Sequence, residues 1–363
     1  MDNHETSGSQ PATLARILVP LDGSGAAAGA MPFAAAIAAG TNGAEIVLLE
    51  VTPPAADVRN VLGREIALAE RVHEGYVQVA TERLRAAAAA LPAGIATKTV
   101  VATGDPATEI LRVAAAEGVG LIALTASGAG AWGPSAFGRV TDRVVRAATT
   151  PVLVLPSRST PGIGRPGASG DVSASMGRGS GASGAEALVT GILVPIDGSE
   201  ASFAALPVAA ALAAALGVEI RVVQAVAYRP ETDPPLTSMA SSSTSSASGM
   251  GIAHPDTIER EFRGAPRAAA EAAVAEALIR LRALGVTAAG DVLTGNPVAA
   301  VISEASRTDL VVLTSRGEGR SRTNGSETPS ARVSWTLGGV ADNLLRAGTA
   351  PIVLAPASTG TGT

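Results

Sequence analysis

The chain has 363 residues, a net charge of −5 and no cysteine. The missing cysteine excludes disulfide bonds, thiolate metal sites and thiol nucleophiles, and the intermixed acidic and basic residues exclude the basic surface that nucleic acid or an anionic membrane would need. Because there are only three histidines, we expect no histidine metal site and no Ser-His-Asp triad. Lys98 is the single lysine, so phosphate binding would depend on arginine or backbone N–H groups.

A repeated junction organises the chain. The sequence Ile-Leu-Val-Pro-Leu-Asp-Gly-Ser at 17–24 returns at 192–199, with seven of the eight residues identical. An apolar run of β type that ends in Asp-Gly-Ser and opens into an Ala-rich stretch is typical of the start of an α/β unit. Two such junctions predict two copies of one domain.

The first copy alternates between strand and helix. Apolar runs predict strands at 17–21, 45–51, 97–102, 121–125 and 151–156, with helices near 25–40, 57–91, 107–117 and 138–148. Gly104-Asp105-Pro106 marks the start of a helix, because proline is favoured in the first helical turn. The second copy follows in the same order. The chain therefore predicts two tandem Rossmann-like α/β/α domains, each with an open parallel sheet of five strands and right-handed crossovers.

Composition sets the domain boundaries. We predict a disordered tail at 1–13, a first domain at 14–156, a flexible linker rich in Gly, Ser and Pro at 157–189, a second domain at 190–357 and a tail at 358–363. The second domain carries two inserts, near 231–256 and 318–332, whose composition predicts disorder.

An aspartate follows the first strand of each copy, as Asp22 and Asp197. Ligands of open α/β sheets bind at the carboxyl ends of strands, where the strand order reverses. A carboxylate at that place can accept hydrogen bonds from an adenine amino group or a ribose hydroxyl. The alternative is an Asx turn followed by Ser24 as helix N-cap, which the sequence Asp-Gly-Ser would satisfy unaided.

A Gly-rich loop follows the fourth strand of the first copy and ends at Gly138. Glycines allow the backbone to approach an anion, N–H groups at the start of the next helix point at it, and Arg139 would add a charge-assisted bond to phosphate. A surface loop that needs Gly for its turns is the alternative. The match to G-x-G-x-x-G at 128–133 follows the wrong strand and does not recur in the second copy, so it does not indicate a dinucleotide fold.

The motifs follow a fixed order: a strand before Pro-x-Asp-Gly-Ser, then Gly-Asp-Pro before a helix, then Gly-x9-Gly before Val-x-Asp-x-Val-Val-Arg and Pro-Val-Leu-Val. This order resembles that of the universal stress protein family over both copies. In ATP-binding members, the resemblance implies, the strand-end Asp and a residue of the second strand hold adenosine, and a G-x2-G-x9-G-(S/T) loop holds the phosphates and ribose. The implied nucleotide-binding positions are Asp22, Val51, Thr125, Gly128, Gly138, Arg139, Asp197, Ala225, Thr314, Gly317, Gly338 and Gly339.

Both copies depart from the family loop. The first glycine is Thr125 in one copy and Thr314 in the other, and the hydroxyl residue is replaced by Arg139 or Gly339. The second copy also has an insert after Gly317. Arginines around this insert would either compensate electrostatically or form a solvated loop: Arg316, Arg320, Arg322 and Arg332. Because the first copy keeps the loop spacing, we favour it as the ATP site.

Three functions follow. The favoured one is a tandem universal stress protein that binds ATP, with or without Mg²⁺, as a sensor or regulatory module of the stress response, with no catalytic residue and no metal site of its own. The second is an interaction module without nucleotide, in which the resemblance implies that the final strands, 152–155 and 352–354, pair antiparallel within the chain or in a homodimer, which would also cover an exposed sheet edge. The third is a hydrolase or transferase that uses Asp22 or Asp197 as its acid.

Neither a membrane nor a secretory route is indicated. No run approaches the roughly 18 unbroken apolar residues of a membrane span, and the N-terminus has no basic-then-apolar signal pattern. We therefore expect a cytoplasmic protein.

Overall fold

A computed structural model describes residues 13–54, 66–126, 138–156, 189–226, 255–305, 310–315, 337–348 and 350–356. The first copy forms β1 (Arg16–Leu21), α1 (Gly25–Ala28), α2 (Met31–Gly40), β2 (Glu45–Thr52), α3 (Ile66–Ala89), β3 (Ala96–Thr103), α4 (Pro106–Ala116), β4 (Leu121–Thr125), α5 (Arg139–Ala147) and β5 (Val152–Leu155). The second copy forms β6 (Gly191–Ile196), α6 (Glu200–Phe203), α7 (Ala205–Leu216), β7 (Glu219–Val226), α8 (Pro255–Ala283), β8 (Ala288–Thr294), α9 (Pro297–Ala305), β9 (Leu310–Thr314), α10 (Gly339–Ala347) and β10 (Ile352–Ala355).

The strands of the described segments form one sheet in the order β3-β2-β1-β4-β5-β10-β9-β6-β7-β8. Within each copy the strand pairs are parallel. The strand order reverses between β1 and β4 in the first copy and between β6 and β9 in the second. The predicted α/β fold, with five parallel strands in each copy, is confirmed.

The two copies join through their last strands. β5 and β10 pair antiparallel, with Leu153 opposite Val353 and Val152 opposite Leu354. Each last strand would otherwise be a sheet edge with unpaired N–H and C=O groups. The predicted pairing of the two final strands within one chain is thus present in the structure.

The copies also share their hydrophobic core. One apolar cluster, on one face of the sheet, includes Ile17 of the first copy and Ile192 of the second, and the cluster on the other face includes Leu18 and Leu193. Burying one such aliphatic side chain contributes about 1.5–3 kcal/mol. Since both clusters cross the β5–β10 junction, the apolar burial that stabilises one copy also stabilises the other.

Ala-rich helices of the two copies, α2 and α7, pack against each other on one face. At their contact the backbones approach so closely that a Cβ built on Gly40 would lie 1.6 Å from the carbonyl oxygen of Ala215. Only glycine fits there. The small residues of this chain therefore set the distance between its two halves.

The predicted helix at 25–40 is wrong, because the structure has two helices, α1 and α2, in its place. Pro32 lies in the first turn of α2 and has no N–H to donate to the carbonyl of Ala28, as a continuous helix would require. Proline is accepted in a first turn, so the chain begins a new helix there. The second copy repeats the break between α6 and α7, with Pro207 at the matching position.

Two predicted boundaries shift. Val189, placed at the end of the linker, is 3% exposed and packs in the core. The insert at 231–256 ends earlier than predicted, because α8 begins at Pro255. The other predicted tail, linker and insert segments lie outside the described residues: 1–12, 157–188, the rest of the insert at 231–256, 318–332 and 358–363. No helix in the described ranges combines the length and the hydropathy needed to cross a membrane.

Candidate functional site at the carboxyl edge of the sheet

The residue after β1 forms an Asx turn. Asp22 Oδ1 accepts hydrogen bonds from the Ser24 N–H at 2.9 Å and from the Ser24 hydroxyl at 2.5 Å. Ser24 Oγ in turn accepts the Ala27 N–H at 3.1 Å and caps α1. Gly23 between them has a φ of +77°, in the left-handed region that glycine tolerates best. The turn alternative considered for Asp22 is therefore realised, with its carboxylate exposed.

The second copy repeats this turn. Asp197 Oδ1 accepts from the Ser199 N–H at 3.0 Å and from the Ser199 hydroxyl at 2.5 Å, and Ser199 Oγ accepts the Ser202 N–H at 3.1 Å. Gly198 has a φ of +82°. The sequence Asp-Gly-Ser thus encodes one local structure in both copies.

Strand pairing brings three predicted positions to one edge. β1 pairs with β2 on one side and with β4 on the other, so the ends that carry Asp22, Val51 and Thr125 are neighbours. Val51 is half-buried and packs against the second apolar cluster. The second copy places Asp197, Ala225 and Thr314 on neighbouring strand ends in the same way.

The Gly-rich loop closes at the start of α5. The Gly138 N–H donates to the Ala126 carbonyl at 2.6 Å, and the Thr141 hydroxyl donates to the Thr125 carbonyl at 2.9 Å. Gly138 is the N-cap of α5 and provides no side-chain cap. Backbone N–H groups of an uncapped first turn, together with the helix dipole, favour an anion.

The second copy closes its loop in the same way, since the Gly338 N–H donates to the Ser315 carbonyl at 2.9 Å. Gly338 likewise caps α10 without a side-chain hydrogen bond. Gly128 and Gly317, the middle glycines of the two loops, lie outside the described residues.

Charges around the edge differ between the copies. Arg139 opens α5 and is exposed, and Arg143 one turn later donates to Asp105 Oδ2 at 2.7 Å. The Arg143 guanidinium, followed by the Thr108 hydroxyl, holds the pKa of Asp105 at about 2. The matching positions of the second copy carry no charge: Gly339, Asn343 and Asn296.

Sequence reasoning missed two ion pairs of the first copy, Asp105 with Arg143 and Glu50 with Arg83. The second copy replaces both members of each pair by neutral residues, but the sequence alone does not show that the replaced residues contact each other. A metal site was not expected, and the described part of the chain holds no group of three or more His, Asp or Glu residues suited to a metal ion.

A model of the universal stress protein family matches residues 13–156 and 190–356, more than half of the chain. The chain belongs to the universal stress protein family. It carries two family domains in tandem, as the motif order predicted.

Two solved structures are similar over almost the whole chain. A universal stress protein from Archaeoglobus fulgidus DSM 4304 is 17% identical, with a TM-score of 0.53, and the match covers 95% of this chain and 99% of that one. A protein of unknown function from Pseudomonas aeruginosa PAO1 is 16% identical, with a TM-score of 0.51, and the match covers 95% of this chain and 93% of that one. At these identities the likeness shows the fold alone.

One further universal stress protein was solved in complex with cAMP. It is 20% identical, with a TM-score of 0.29, and the match covers 39% of this chain and 96% of that one. No curated protein sequence matches the chain.

Proposed function

We propose that the first domain binds an adenine nucleotide at the carboxyl edge of β1 and β4, and that the chain acts in the cytoplasm as a nucleotide-dependent sensor or regulatory module. The observation that carries this proposal is the pair of residues at the place where the strand order reverses, between β1 and β4. An exposed carboxylate, Asp22, follows β1, and an uncapped helix start with Arg139 follows β4. Such crevices are where open α/β sheets bind their ligands.

In this proposal Asp22 accepts a hydrogen bond from a ribose hydroxyl or the adenine amino group. A carboxylate has about four lone-pair sites, so the two bonds from Ser24 orient the group and are compatible with a ligand. The half-buried side chain of Val51 provides an apolar contact for the base. Gly128, Gly138 and Arg139 would hold the phosphates through backbone N–H groups and one guanidinium.

At the positions that match the proposed site, the second domain has Asp197, Ala225, Thr314, Gly317, Gly338 and Gly339. It has no arginine at the start of α10, because Gly339 stands where the first domain has Arg139. We propose that it binds the same nucleotide more weakly, or binds only its adenosine end. Mg²⁺ would arrive with the nucleotide. We assign no side chain at either edge to proton transfer, so we expect any turnover of ATP to be slow.

Calorimetry with ATP and Mg²⁺ tests the site. We expect Asp22→Ala to weaken binding about tenfold or more, the loss typical of a charged hydrogen bond, whereas the matched change Asp197→Ala leaves the tighter binding unchanged. Asp22→Asn keeps an acceptor oxygen for Ser24 and separates loss of the turn from loss of the charge. Absence of binding heat in the wild type would overturn the proposal, as would equal binding by Asp22→Ala.

The internal β5–β10 pairing favours a second, compatible role, in which the two domains act as each other's partner. We propose that the chain is a monomer that satisfies its own strand edges, and not a homodimer through these strands. Light scattering of the intact chain should give the mass of one chain. Deletion of residues 351–363 removes β10, exposes β5 and should promote association, and a deletion variant that stays monomeric would contradict this role.

A further inference from the structure

A buried glutamate forms an ion pair with a half-exposed arginine next to the Asp22 turn. Glu50 of β2 is 4% exposed, and its Oε1 accepts a hydrogen bond from Arg83 Nη2 of α3. The other oxygen, Oε2, is buried without a hydrogen-bond partner among the described residues. Arg83 is therefore the group that compensates this buried carboxylate.

The same guanidinium lies against the turn. A Cβ built on Gly23 would be 2.6 Å from Arg83 Nη1 and 3.0 Å from its Cζ. The positive φ of Gly23 favours glycine at this position, and the end of the Arg83 side chain packs against its backbone. Through Arg83, the turn that carries Asp22 is connected to both β2 and α3.

The second copy has the same turn without the pair. Gln224 takes the place of Glu50, since Glu50 is opposite Leu21 and Gln224 is opposite Ile196 in the matching strand pairs. A Cβ built on Gly198 would be 3.4 Å from the Ala273 Cβ and 3.4 Å from Gln224 Nε2. Ala273 of α8 therefore occupies the place of Arg83.

The second copy lacks both charges of the Glu50–Arg83 pair, and there is a physical reason why they are absent together. A glutamate without its arginine would be a buried charge without compensation, and removing one partner of a buried pair is far more destabilising than replacing both. The second copy thereby shows that this turn folds without the pair. Because the turn does not need the Glu50–Arg83 pair, we look for another role of this pair in the first copy.

We propose that Glu50 and Arg83 are positioning residues for the nucleotide site of the first domain. The pair holds the backbone at Gly23 and thereby fixes the orientation of the Asp22 carboxylate before the ligand arrives. A site that is ordered in advance loses less conformational entropy on binding. This inference rests on the proposed function, and it makes the first domain the tighter of the two sites.

The double variant Glu50→Gln/Arg83→Ala tests the inference, because it copies the residues of the second copy and leaves no buried charge alone. We expect it to fold and to bind ATP with Mg²⁺ about tenfold more weakly than the wild type. Hydrogen exchange of the Ser24 N–H, which donates to Asp22, should become faster. The matched control is Arg16→Ala/Glu45→Gln, which removes the ion pair at the opposite ends of β1 and β2 and should change neither quantity.

Arg83→Lys gives a second test, since it keeps a positive charge beside Glu50 but lacks the planar group that lies on Gly23. We expect intermediate affinity and intermediate exchange at Ser24. If the wild type binds ATP and the double variant binds it equally well, the positioning role is overturned while the proposed function stands. Weaker binding with unchanged exchange at Ser24 also overturns it, and absence of binding by the wild type overturns the proposed function itself.

Discussion

The two copies brace the same strand-end turn in different ways. In the first copy Arg83 of α3 presses on the turn glycine, Gly23. In the second copy Arg280 of α8 donates to both carboxylate oxygens of Glu200, at 2.6 and 2.9 Å. Its guanidinium also lies 4.4 Å from the centre of the Phe203 ring. One arginine thus fixes the turn beside the ligand edge, and the other fixes the short helix after it.

The two copies also have ion pairs at different positions of the shared fold. Where the first copy buries Val47 and Val113, the second copy has Arg221, which is partly exposed and pairs with both the buried Glu304 and the exposed Asp291. Conversely, the edge pair Asp105–Arg143 of the first copy is replaced by two asparagines. The comparison teaches that the same backbone accepts an ion pair at either set of positions. The first copy has the pair at the carboxyl edge, where a ligand would bind.

The largest expected effect concerns the Arg221–Glu304 pair of the second copy. Arg221→Ala takes the guanidinium from Glu304, which is 7% exposed, and should lower the free energy of unfolding by about 3 kcal/mol. Arg221→Val/Glu304→Val restores the residues of the first copy and should cost about 1 kcal/mol or less, because both charges leave together. Urea denaturation checks both values. Equal destabilisation by the two variants would break the comparison.

A smaller effect is expected at the contact of the two halves. Gly40→Ala places a methyl group against the Ala215 carbonyl and should destabilise the chain by about 2 kcal/mol through overpacking. The matched change Gly75→Ala lies in α3, where a Cβ meets no atom within 4 Å, and should stabilise by about 0.5–1 kcal/mol. Thermal melting of both variants decides whether the halves are as tightly joined as their shared core indicates.

The smallest effect is the pH dependence that arises from the Asp105–Arg143 pair of the first copy. The pKa of Asp105 is held at about 2, below the unfolded-state value of about 3.9. The carboxylate therefore stabilises the fold above about pH 4, and this contribution is lost as the pH falls towards 2. Because the side chain is about half exposed, the contribution should stay below about 1 kcal/mol.

Asp105→Asn, which keeps the helix cap and copies Asn296, isolates this contribution. The wild type should melt at a higher temperature than the variant at neutral pH, and the two should converge near pH 2. A difference that persists at pH 2 would mean that the Arg143–Asp105 pair does not set the stability of this edge.

Local features of the site could be predicted from the sequence, and tertiary pairs could not. The Asp22 turn depends on hydrogen bonds between residues two and three positions apart, so the local sequence determines it. Glu50 and Arg83 are 33 positions apart, and their pairing depends on how α3 packs on β2. The break before α2 was predictable from Pro32, whereas the close contact at Gly40 depends on a helix of the other copy.

The antiparallel junction of β5 and β10 decides where the two edges point. Because every pair within a copy is parallel and the junction alone is antiparallel among the described strands, all strands of the second copy run against those of the first. The carboxyl end of β1 and the carboxyl end of β6 therefore lie on opposite sides of the molecule, apart from the twist of the sheet. The two Asp-Gly-Ser turns of one chain therefore face away from each other, and a single ligand cannot contact both. Any coupling between the two turns must pass through the common core.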